Sequence, residues 1–210
     1  MSQLILHDYE MDEDSYRVRL LMSFLGVTAE RVAVDMFPGH VHDSPAFRRL
    51  SPLGLMPVLE IHGTPLAGSA AILATLAACQ DETRQWLPTE PALHGDVMSW
   101  LTFSERALAA ARQARLCALF ALAGDTARME AEARSAFRVL EDRMTLNRIE
   151  GRDWIVGTQP TIADLALFPS FALSRDYGID HNDYPALRLW LRRLRRLPGF
   201  ITMPGIPDYH

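Results

Sequence analysis

Lysine is absent from this chain: all 21 basic residues are arginine, set against 26 acids. The bias reads as compositional, although arginine is the better fork for carboxylates. A formal net charge of −5 excludes a general binder of nucleic acid or anionic membrane. The acidity sits early, with nine acids and five arginines in residues 1–80 against seventeen and sixteen in residues 81–210. Cys79 and Cys117 are the only cysteines, too few for a disulfide framework and without metal-ligand spacing. Both are expected to be buried, reduced thiols. No apolar run approaches the ~20 residues that span a bilayer, and residues 116–123 fall far short. The start, Met1-Ser2-Gln3-Leu4-Ile5-Leu6-His7-Asp8, lacks the basic flank and apolar core of a secretory leader. A cytoplasmic protein is expected. Its apolar content of 49% is ample for one large core or two small ones.

The most informative stretch runs Ser51-Pro52-Leu53-Gly54-Leu55-Met56-Pro57-Val58-Leu59-Glu60-Ile61, followed by Gly68-Ser69-Ala70-Ala71-Ile72-Leu73. Proline cannot donate to a sheet ladder, so Pro57 at the head of an apolar strand needs a reason. A cis Met56-Pro57 bond is one. It turns the Met56 N–H and C=O outward, where an extended peptide ligand can pair with them. Ser69 opens a helix whose free N–H groups and dipole suit a carboxylate.

Around this stretch the pattern reads as strand 4–6, helix 14–25 stopped by Gly26, strand 31–34, short helix 46–50, and strands 58–61 and 65–67 about His62-Gly63. A helix over 69–78 closes a βαβαββα unit in residues 1–78. Residues 79–91, with Pro88 and Pro91, read as a linker. From 92 to 210 the pattern is helical, with helices expected over 93–123, 125–150, 161–173 and 185–197. Thr161-Ile162-Ala163-Asp164 is a capping-box start. Arg192-Arg193-Leu194-Arg195-Arg196, interleaved with Trp190, Leu191 and Leu197, reads as an amphipathic helix rather than a nucleic-acid patch.

The order of these motifs, the Gly157 to Asp164 spacing and the tail Pro198-Gly199-Phe200-Ile201-Thr202-Met203-Pro204-Gly205-Ile206 resemble the cytosolic glutathione S-transferase family, in its bacterial, serine-type form. The resemblance spans Leu4 to about Ile206. It implies an α/β plus all-α fold: a thioredoxin-like domain followed by an all-helical domain. It also implies glutathione as ligand, a small-molecule substrate in the cleft between the domains, and a homodimer joined through the third helix and the first long one.

In that family a hydroxyl at the head of the first helix donates to the glutathione sulfur. The serine-type pattern puts it five residues before Arg17, at Asp12. A carboxylate there raises a thiol pKa rather than lowering it. Ser15 and Tyr9 are the remaining hydroxyl candidates, with Tyr16 nearby. The plainer reading is that Asp12-Glu13-Asp14-Ser15 caps the helix, and both roles are compatible. Elsewhere Asp43 stands where relatives carry a base for the glycyl carboxylate. Leu55 stands for a lysine or glutamine, and Gly68 for the acid or amide before Ser69. The backbone of Met56, Pro57 and Ser69 is retained. Each lost charge-assisted contact forfeits roughly 1.5–3 kcal/mol, so weakened glutathione affinity is expected.

Relatives bind the electrophile between the first helix and the first long helix of the second domain, where Glu105, Arg112 and Arg115 lie. Arg112 and Arg115 share a face and suit an anionic substrate. The plainer reading pairs them with Glu105 or a dimer partner. His40-Val41-His42 lacks further spaced ligands, so no metal is expected. Three functions follow: a transferase-like enzyme with rebuilt thiol activation, a glutathione-independent acid/base enzyme using Asp12, Glu13 or Asp14, or a non-catalytic member that binds a protein partner.

Overall fold

The computed structural model describes residues 4–206. Residues 1–3, part of the start inspected above for a leader, and 207–210 lie outside the described residues. The first unit is β1 (Leu4–Asp8), α1 (Glu13–Leu25), β2 (Glu30–Ala33), α2 (Pro45–Leu50), β3 (Val58–Ile61), β4 (Thr64–Ala67) and α3 (Ser69–Gln80), the βαβαββα order expected. The sheet order is β2-β1-β3-β4, with β1 and β2 parallel and the other pairs antiparallel. Leu4 and Leu6 of β1 and Leu59 of β3 join the main core, together with Val18, Leu21, Ile72 and Leu76 of the two helices. A smaller cluster of Val34, Phe47, Met56 and Val58 includes Phe47 of α2. Among the described residues two proline bonds are cis, Met56–Pro57 and Phe37–Pro38, and the second has no counterpart in the sequence reading.

The helical unit holds α4 (Pro91–Ala107), α5 (Ala109–Phe120), α6 (Thr126–Ile149), α7 (Ile162–Ala172) and α8 (Pro185–Arg195). The single helix expected over 93–123 is two. Leu108 leaves helical geometry at φ −94°, ψ 4° and is fully buried. Arg112 caps the break, donating from Nη1 to the Ser104 carbonyl at 3.0 Å and from Nη2 to that of Glu105 at 3.1 Å. The capping box opens α7 as its residues imply: Asp164 accepts from the Thr161 N–H at 2.9 Å, the Ile155 N–H at 3.0 Å and Trp190 Nε1 at 2.8 Å. Trp190, Leu191 and Leu194 of α8 are buried, so its arginines line the outer face.

Cys117 is buried, but Cys79 is exposed, correcting the expectation for that thiol. The buried stripe of α3 runs through Ile72, Leu73, Leu76 and Ala77, and Cys79 falls off it. Among the described residues no helix is long and apolar enough to cross a membrane.

Candidate functional site

Sheet register brings four loops to one edge. Asp8, the last residue of β1, is opposite Ala33, and His7 is opposite Val58, whose other partner is Ala67. The segments after β1 and β2, the Met56–Pro57 step before β3, and the start of α3 therefore converge. The Gly68 N–H donates to the Pro57 carbonyl at 2.9 Å, tying the last two together. Met56 turns its side chain into the small cluster with Phe47. Its backbone lies outside the β3 ladder and has no partner in the loop and turn hydrogen bonds of the described residues.

At the head of α1 the acids divide. Asp12 is the N-cap: Oδ2 accepts from the Ser15 N–H and the Ser15 hydroxyl, both at 2.7 Å. Ser15 Oγ also accepts from the Tyr9 N–H at 3.3 Å, so this buried hydroxyl is fully engaged. Asp12 keeps some exposed surface, yet the protein crowds its carboxyl. Desolvation, then the Asp14 charge, push it up to about 6 against the pull of the Ser15 bonds. Tyr9 donates to the Phe37 carbonyl at 3.4 Å, and burial followed by the Asp35 charge raises its phenol. A phenol so raised stays protonated and keeps its O–H as a donor. Glu13 turns inward, accepts from Ser170 Oγ at 2.7 Å and is raised by burial. The acidic run is therefore not one cluster.

Asp14 joins the next layer. Arg17, whose side chain is completely buried, places Nη1 at 2.5 Å from Asp14 Oδ1 and 3.2 Å from Glu105 Oε1. The same nitrogen donates to Ser69 Oγ at 3.3 Å, and the Ser69 hydroxyl donates to Asp14 at 3.3 Å. Arg112 Nε approaches the other Asp14 oxygen at 3.6 Å. One ionic network thus links α1, the N-terminus of α3, α4 and α5. Arg17 Nε and Nη2 are buried and have no hydrogen-bond partner. Arg115 is committed elsewhere, donating from Nε to Asp176 at 2.9 Å, from Nη1 to the Met11 carbonyl at 2.7 Å and from Nη2 to the Pro204 carbonyl at 3.3 Å.

Comparison with known proteins agrees with this layout. The family model "Glutathione S-transferase, N-terminal domain" matches residues 15–79, and "Glutathione S-transferase, C-terminal domain" matches 107–193. A maleylacetoacetate isomerase of Rhizobium meliloti is 31% identical, over 95% of this chain and 94% of its own. The chain belongs to the glutathione S-transferase family. Among solved structures, a glutathione S-transferase from Pseudomonas fluorescens superposes with a TM-score of 0.86 at 28% identity, over 97% of this chain and all of that one. A possible glutathione S-transferase from Rhodopseudomonas palustris gives 0.84 at 27%, over 99% and 92%.

The residues expected to depart from the family's pattern form physical units. Leu55 and Gly68 belong together: a Cβ on Gly68 would come within 3.1 Å of Leu55 Cδ1, at a φ of +92° that side chains avoid. Asp43 accepts from Arg48 Nη2 at 3.1 Å, and the Arg48 guanidinium fills the space a Cβ on Gly54 would need. A cation therefore does sit beside the Gly54–Met56 segment, brought by α2. The sequence reading missed Arg48 and used Arg17 only as a ruler, although the i,i+3 spacing of Asp14 and Arg17 on one helix was a usable signal. The stacking of Phe37 on Phe120, with centroids 4.7 Å apart, had no local signal at all.

Proposed function

We propose that the cleft binds glutathione and that the protein is a glutathione-dependent enzyme acting on a small electrophile by addition or isomerisation. The observation that carries the reading is the convergence of an unpaired Met56 backbone, the α3 N-terminus at Ser69 and a proton-accepting Asp12 on one sheet edge. In this reading the tripeptide backbone pairs with Met56. One carboxylate meets the free N–H groups of the α3 N-terminus at Ser69. Arg48 takes the place of the missing base for the other.

Asp12 changes the mode of thiol activation. A carboxylate near pH 7 accepts the thiol proton, and the resulting neutral acid donates a hydrogen bond to the thiolate where relatives offer a serine. The thiolate sulfur then bonds to the electrophilic carbon as its double bond opens to an anion. In an addition the proton passes to that anion. In an isomerisation the anion re-forms the double bond, the C–S bond breaks and the thiolate recovers its proton from Asp12. With a free thiol near ~8.5 and Asp12 at about 6, this transfer is uphill by roughly 3 kcal/mol, within reach of an enzyme. The similarity to a maleylacetoacetate isomerase supports an unsaturated acid as substrate and transient thiol addition as the chemistry. The exposed Leu93 and Met98 of α4 support a homodimer joined there.

Calorimetric titration with glutathione tests the reading, with Ser69→Ala and Arg48→Ala alongside. Saturable heat that weakens in both variants is expected. No heat at millimolar glutathione overturns it and leaves an acid/base enzyme or a protein-binding member.

A further inference from the structure

The loop after β2 places two imidazoles and a carboxylate together, none of them assigned to glutathione, although Asp43 shares Arg48 with that site. His40 precedes a 3-10 turn over Val41–Asp43, and the three-residue period of that turn stacks Asp43 beneath His40. His42 Nε2 lies 3.4 Å from Asp43 Oδ2, and His40 Nδ1 lies 4.0 Å from the same oxygen. One donor atom from each of the three residues falls within 4.8 Å of the others.

We infer that His40, His42 and Asp43 form a binding site for a first-row divalent cation of the imidazole-preferring class, Zn²⁺ or its analogues, at the rim of the cleft. With ligand bonds of about 2.1 Å, a tetrahedral site has edges of about 3.4 Å. The His42–Asp43 edge already has that length, and the His40–Asp43 edge must close by about 0.6 Å. The His40–His42 edge, bounded at 4.8 Å, must close by up to about 1.4 Å through rotation of the exposed His40 ring. Three protein ligands and one open position is the arrangement of non-structural zinc sites.

The ligands are held before any metal arrives. Arg48 grips the second oxygen of Asp43 at 3.1 Å, which aims the first at the histidines and acts as an outer-layer partner to the carboxylate. Both imidazoles lean on Phe37, with centroids at 5.3 and 6.1 Å, and on each other at 5.9 Å. The turn is fixed by Val41 N–H donating to the Asp35 carbonyl at 2.8 Å and Asp43 N–H donating to that of His40 at 3.0 Å. Two histidines alone are a weak pattern. The turn geometry adds Asp43 as the third candidate ligand, and the proposal therefore departs from the expectation that the chain binds no metal.

The test is titration of the full-length protein with Zn²⁺ by calorimetry and with Co²⁺ by visible absorption. Expected is one ion per chain, with the d–d bands of low-coordinate Co²⁺ bleached by Zn²⁺. His40→Asn and Asp43→Asn should each weaken binding by about tenfold or more. Asparagine tolerates the left-handed backbone of His40 (φ 49°), and both side chains are more than half exposed, so the variants keep the fold. His62→Asn is the matched control, an exposed histidine also at positive φ (53°), and should change nothing. Absence of binding by the wild type, unchanged affinity in His40→Asn and Asp43→Asn, or loss in His62→Asn overturns the site. None of these readouts depends on glutathione.

Discussion

The Ser15 hydroxyl donates to Asp12 Oδ2 at 2.7 Å, so the hydroxyl and the carboxylate at the head of α1 work as one group. Ser15 has no free proton for a ligand sulfur while that bond stands. In the proposed mechanism the thiol chemistry therefore falls to Asp12.

Asp12→Asn separates capping from catalysis. Asparagine caps as well as aspartate, so stability should hold, whereas Asp12→Ala should lose about 1 kcal/mol in urea unfolding. The asparagine cannot accept a proton, and glutathione-dependent turnover should fall about a hundredfold. The pH profile carries the sign. The accepting form is the carboxylate, whose pKa is raised from the ordinary 3.8 to about 6, so the wild-type rate should climb as pH rises through about 6. In Asp12→Asn that inflection should vanish. A profile unchanged by the substitution would remove Asp12 from the mechanism.

Arg17→Met should destabilise the protein by roughly 3 kcal/mol or more, because it strands Asp14 against a site built for a cation. Lysine should recover part of the loss, since a single guanidinium nitrogen serves Asp14, Glu105 and Ser69 here and an ammonium also offers three donors from one nitrogen. Chemical unfolding of both variants at neutral pH is the measurement. Equal stability of wild type and Arg17→Met would show the network to be neutral.

Gly68→Ala meets two obstacles, a φ of +92° and Leu55 Cδ1. The expected cost is about 1–3 kcal/mol. Adding Leu55→Ala should recover only the steric part, leaving the backbone part in place. A double mutant as stable as Leu55→Ala alone would assign the whole effect to the contact.

Asp164→Ala should cost at least about 3 kcal/mol, because it leaves the Ile155 and Thr161 N–H groups and Trp190 Nε1 buried without an acceptor. The loss should appear in the urea midpoint, and in tryptophan fluorescence from Trp190. A midpoint within error of the wild type would mean that these donors find other acceptors.

What could be read directly from the chain is what short-range physics controls. Asp12 with Ser15, Gly26, and Thr161 with Asp164 mark helix ends because a cap and its N–H partner lie within three or four residues. Pro57 before an apolar strand, and Ser69 opening a helix, were legible for the same reason. The 93–123 segment misled because its period continues through Leu108. Only packing shows that Arg112 turns back to cap the break.

Local sequence determined the order of elements, their caps and the family, since each is written in spacings of a turn or two. Tertiary structure alone decided what the acids and arginines do. Glu13 finds Ser170, Arg17 finds Glu105, and Arg115 finds Met11 across 157, 88 and 104 residues. Charge and hydrogen-bond capacity are properties of a residue, but partners are properties of the fold. A buried ion settles on whichever opposite group the packed chain brings within reach.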